Sequence, residues 1–179
     1  MKSMCLGWRR WRKMKKPETK LLLDALLYEE GHPRRTQHIL KVYALAKLLG
    51  ECSGLGEEER QILQAAAILH DIPIKYCKER YKGDACQANQ QKEAPGLVRD
   101  FLQQAGYPPD YLPRVLELVV NHHCYTGPHS QLLQLLIEAD LIVNAYEEPL
   151  SEEERVYVRS LFHSDAGKEL FLLQDQRKT

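Results

Sequence analysis

Residues 131–146 read QLLQLLIEADLIVNAY. Wound as a helix, this stretch is apolar on most sides, which is the pattern of a helix running through the middle of a bundle. Asp140 interrupts it. Leu133, Leu136 and Ile137 precede Asp140 by seven, four and three positions, so all four share one face. An unpaired carboxylate there costs several kcal/mol or gives up its charge. A cation must face it, either a basic side chain in a buried ion pair or a metal ion.

The rest of the chain repeats the helical period. Pro17-Glu18-Thr19 opens a helix carrying Leu22, Leu23, Leu26 and Leu27, and Gly31 closes it. After the break at His32-Pro33, a second helix over 35–49 places His38, Val42, Leu45 and Leu49 on one face and closes at Gly50. Glu57-Glu58-Glu59 sit where the helix dipole favours acids, and the helix they open runs through Ile62, Ala65, Ala66 and Leu69 until Pro73 stops it. Residues 76–91 are polar and aperiodic and read as a long loop. Helical pattern resumes over 94–105, again at Leu112, Val115, Leu116, Val119 and Val120, and then over 131–146. Ser151-Glu152-Glu153-Glu154 has the form of a capping box for a further helix, and a short one follows over 168–173. No strand alternation and no internal repeat appears. The expected fold is all-α, a single-domain helical bundle over 17–179.

Composition narrows the function. At 44% apolar and 28% charged residues the chain is an ordinary globular sequence. Lys and Arg balance Asp and Glu at 25 each, so overall charge favours neither a nucleic acid nor an anionic membrane as partner. The five cysteines are scattered, with no Cys-x-x-Cys pair. Without a secretory signal, they read as reduced thiols in the cytoplasm. Residues 1–16, MKSMCLGWRRWRKMKK, form a basic tail with Trp8 and Trp11 interleaved. It reads as a disordered tail or a mis-assigned start. The sharper alternative is a weak surface anchor, and sixteen residues with few aliphatics bury too little to favour it.

Several other ionisable residues stand where core residues belong. His38 lies on the Val42-Leu45-Leu49 face, where a lone histidine would ordinarily be satisfied by a backbone carbonyl. His70 and Asp71 end a helix at the break made by Pro73. His122 and His123 end another, each following apolar residues on its own face. Taken together, these positions bring imidazoles and carboxylates to the inner faces and ends of four core helices. Such donors suit Fe, Mn, Zn, Ni or Co and need no sulfur.

In that context the run AAAILHDIPIK (65–75), with Arg35 three residues before His38 and Asp140 late in the chain, resembles the HD-domain superfamily of metal-dependent phosphohydrolases. GHPRRTQH, GYPPDYLPRVLELV and IEADLIVNAYE are similar to its small, stand-alone bacterial-type members, and the likeness spans roughly 31–148. The resemblance implies a divalent metal, one or two ions among Fe, Mn, Zn, Ni, Co and Mg. It implies that His38, His70, Asp71 and Asp140 hold the first, with Asp71 as the central catalytic carboxylate bridging to a second. The family's further histidines match His122 and His123. Another family histidine falls on Glu93 here, a departure that would change charge and metal preference. The implied reaction is hydrolysis of a phosphoester or phosphoanhydride in a small soluble substrate, a nucleotide among the candidates, by a metal-activated hydroxide. Arg35, one turn from His38, and Lys75, just past the His-Asp pair, are the expected phosphate-holding cations. A non-catalytic module that binds metal or nucleotide is the alternative.

Overall fold

A computed structural model describes residues 16–174. The chain before residue 16, including most of the basic tail, lies outside the described residues. The helices, in order, are α1 (Pro17–Tyr28), α2 (Pro33–Cys52), α3 (Glu57–Leu69), α4 (Ile72–Arg80), α5 (Gln87–Ala105), α6 (Tyr111–Asn121), α7 (Gln131–Glu147), α8 (Glu152–Ser160) and α9 (Asp165–Gln174). No strand occurs among them, so the fold is all-α, as the periodicity requires. None of these helices is long and apolar enough to cross a membrane.

Two helices form the centre. In α3 every residue from Ile62 to Leu69 is buried, and in α7 every residue from Leu132 to Val143 is buried. α2 packs against both. α6 and α1 cover α3, while α5 bridges α1, α4 and α6, and α9 closes over α7. Local chemistry sets the ends. Pro17 and Pro33 occupy first turns, where the missing N–H costs nothing. Ser130 caps α7 by accepting from Leu133 N at 3.3 Å. Ser151 and Glu154 form the expected capping box on α8. Gly106 ends α5 at φ +87°, a conformation costly for any residue with a Cβ, and Tyr107 N returns to Leu102 O at 3.0 Å.

The expected loop over 76–91 is mostly helix. Pro73 does end α3, because it cannot donate to the carbonyl four residues back. It also sits in the first turn of α4, where a proline is accommodated, so the chain restarts at once. α4 buries only Ile72, Pro73 and Cys77, and α5 begins seven residues before its expected start. α5 also carries Pro95 in its interior. These are surface helices with sparse apolar stripes, which is why the sequence read as irregular.

A second buried carboxylate on α7 is structural. Glu138 is fully buried and accepts from His163 N at 2.7 Å, Ser164 N at 2.9 Å, Gln134 Nε2 at 2.9 Å and the Ser164 hydroxyl. It ties the segment leading into α9 to the central helix.

Candidate metal centre

The break between α3 and α4 creates the centre of the site. His70 is the C-terminal cap of α3 and Asp71 the N-terminal cap of α4, so two adjacent side chains emerge where no helix continues. α2 presents His38, α7 presents Asp140, and the end of α6 presents His122 and His123.

The donors converge. His38 Nε2 lies 3.1 Å from both His70 Nε2 and Asp140 Oδ1, and 3.7 Å from Asp71 Oδ2. His70 Nε2 lies 3.6 Å from Asp71 Oδ2 and 3.7 Å from Asp140 Oδ1. On the other side, His122 Nε2 lies 3.6 Å from Asp71 Oδ1. The His122 and His123 rings are 3.9 Å apart, centroid to centroid. Two groups able to hold a metal result, His38-His70-Asp71 and Asp71-His122-His123. Asp71 belongs to both and turns a different oxygen to each.

Histidine tautomers test whether a cation fits. A carbonyl can only accept, so the contacts of His70 Nδ1 with Ala67 O at 2.8 Å and of His122 Nδ1 with Val119 O at 2.7 Å put the proton on Nδ1 in both rings. Their Nε2 lone pairs therefore point into the cluster. The His122 Nε2 atom is buried and has no hydrogen-bond partner, an expensive arrangement unless something electropositive meets it. Metal–ligand bonds of about 2.0–2.2 Å place neighbouring donors roughly 3–3.5 Å apart. The observed spacings run from 3.1 to 3.7 Å, at or slightly above that range, and the nitrogen–oxygen donor set fits a divalent transition metal.

Electrostatics agree with the geometry. Burial opposes a charge on Asp71, yet His70, His122 and His38 pull its pKa far below the carboxylate range. Burial likewise opposes the Asp140 charge, and the His38 hydrogen bond and nearby His70 outweigh it. Burial holds the His70 pKa down. His38 and His122 are raised despite burial, His38 chiefly by Asp140 and His122 by Asp71. The site carries two anionic carboxylates among buried imidazoles.

Two of the sequence-derived residues, Glu93 and Lys75, stand elsewhere than expected. Glu93 does not join the cluster. Its Oε1 accepts from Tyr81 Oη at 2.5 Å and lies 3.3 Å from Arg80 Nε, so α5 turns it toward α4's end. Lys75 turns the other way. Its ammonium donates to Tyr28 O and lies 5.0 Å from that ring's centroid, which closes the end of α1. Arg35 does face the site, as a wall of a cleft of about 530 Å³ that His38 and Asp71 also line. Its Nε is held by the buried Glu29 at 2.6 Å. Sequence reading missed Lys78, which lines the same cleft and makes no ion pair among the described residues. It lies one turn beyond Lys75, a signal visible only once α4 is known to be a helix. His32 lines the cleft as well, whereas His129 is engaged with Gln134.

A family model described as HD domain matches residues 35–159, well over half of the chain and every residue of both groups. No curated protein and no solved structure gives a match.

Proposed function

The chain belongs to the HD-domain family, and from that premise we propose that it is a metal-dependent phosphohydrolase acting on a small soluble phosphorylated substrate, with nucleotides among the candidates. The observation carrying this reading is Asp71, which offers one carboxylate oxygen to each of two histidine groups. Divalent metal held there supplies an acidified water and neutralises charge on a phosphoryl group.

The chain's own residues do the rest. His38, His70 and Asp140 would hold a metal at the first position, His122 and His123 at the second, and Asp71 would serve both. Asp71 is the catalytic carboxylate. Its side chain is 19% exposed while His70 is fully buried, so a substrate in the cleft meets the site at Asp71. Glu29 occupies the Nε of Arg35 and fixes its plane, leaving the two terminal nitrogens for phosphoryl oxygens. Lys78 replaces Lys75 as the second cation. Two positive groups lining one cleft favour the developing charge of the transferred phosphoryl group. The cleft is of ordinary ligand size and admits a phosphorylated metabolite or a mononucleotide.

The test is phosphate release from a panel of nucleotides and sugar phosphates with added Mn²⁺ or Co²⁺. Turnover of at least one compound is expected. Lys78→Ala should raise KM about tenfold, the loss of one charge-assisted contact, and Lys75→Ala should leave it within about twofold. No release across the panel from metal-loaded protein would overturn the enzymatic reading in favour of a binding module.

A further inference from the structure

Three histidines of the cluster must each keep the Nε2 lone pair free, and two of them solve this locally. His70 and His122 stand at helix C-termini, where the last carbonyls have no helical partner. Each gives its Nδ1 proton to the carbonyl three residues earlier. His38 has no such recourse. It lies inside α2, where the carbonyls of the preceding turn are taken by the helix.

The acceptor it finds is on another helix. Glu147, the last residue of α7, places Oε2 3.4 Å from His38 Nδ1. Both side chains are about nine-tenths buried. Lys41, one turn along α2 from His38, donates to the other oxygen of Glu147 at 2.8 Å, and Arg34 Nε lies 3.7 Å from Oε2. α7 thus carries three polar residues on one face at helical spacing. Asp140 faces the cluster, Asn144 donates to Asp140 Oδ2 at 2.9 Å, and Glu147 meets the far side of His38.

We propose that Glu147 is the positioning residue for His38, accepting its Nδ1 proton so that the Nε2 lone pair is presented to a metal. Lys41 fixes the carboxylate for this task. The inference rests on the metal-centre reading above and adds a residue that neither donates to the cluster nor touches the reacting atoms. Carboxylates or carbonyls behind ligating histidines set ring orientation and raise basicity, and losing one costs about 10–100-fold in metal affinity.

The experiment measures Co²⁺ affinity by chelator competition, following the visible absorption of bound cobalt. Glu147→Ala should weaken binding about 10–100-fold. Glu147→Gln, whose amide oxygen still accepts from Nδ1, should stay within a few-fold of wild type. Glu148→Ala, which removes the other carboxylate that Arg34 contacts, at 2.6 Å, and leaves Glu147 in place, should bind normally. Lys41→Met, an independent variant that leaves every ligand and Glu147 in place, should show a smaller loss of the same sign. Unchanged affinity in Glu147→Ala overturns the proposal, as does a Gln variant as weak as Ala or an unaffected Lys41→Met. A wild-type chain that takes up no Co²⁺ overturns the functional reading, and this inference with it.

Discussion

His123 shows how a single residue's surroundings set its chemistry. Burial, and then the neighbouring His122, push its pKa down to about 4. An unfolded histidine titrates near ~6.5. Between those values the unfolded chain takes up a proton that the folded chain refuses. His123 therefore contributes stability above ~6.5 that is lost as pH falls through about 4. Its ring stays neutral and able to donate a lone pair across the mildly acidic range. Its Nδ1 lies 3.3 Å from Tyr125 Oη, which orients it. In protein stripped of metal, an NMR titration should show the His123 imidazole becoming protonated only as pH approaches 4. Titration near the ordinary value would mean that the ring is solvated and that the second position is not preformed.

The helix that dominates the fold does two jobs, and its two buried carboxylates divide them. Asp140 serves the cluster, while Glu138 anchors the start of α9. The packing leaves no room beside Glu138. A Cβ on Gly167 would lie 2.9 Å from its Cδ and collide with its carboxylate oxygen. Gly167→Ala should therefore destabilise the protein by about 1–3 kcal/mol. Glu138→Ala strands two backbone N–H groups at about 1–3 kcal/mol each. At this chain length each kcal/mol lowers Tm by about 2–4 °C, which thermal unfolding would read. An unchanged Tm in both variants would mean that α9 is not anchored this way. The same elements explain what was legible in sequence. α3 and α7 are so apolar that period and burial agree, and a carboxylate on such a face stands out. Beyond Ile72 and Pro73 at its start, α4 buries only Cys77, and the first half of α5 only Ala94, so they carried little hydrophobic period and read as loop. Glu93, Lys75 and Lys78 lie on those two helices. A residue's direction could not be assigned before its helix was known, and two cations three residues apart exchanged roles. Glu147 was invisible for a different reason. An acid at a helix end is usually solvated, and only tertiary packing of α7 against α2 sets it behind His38.

For the whole molecule, the cluster is where four separate parts of the bundle meet: α2, the α3–α4 break, the end of α6, and α7. Metal bound there would stabilise the folded chain over the unfolded one, because the unfolded chain has no such arrangement of donors. Hydrophobic packing of α2, α3 and α7 does not depend on it, so the helices should outlast loss of the metal. Asp71 is the only residue common to both groups, and its removal should cost both positions at once. The direct measurement is metal content per chain by elemental analysis, for the wild type and for Asp71→Ala, alongside far-ultraviolet circular dichroism. The expected result is about one to two divalent ions in the wild type and almost none in the variant, with the helical signal retained. A wild-type chain with much less than about one ion, or an Asp71→Ala chain that keeps its full complement, would contradict a metal centre built around Asp71.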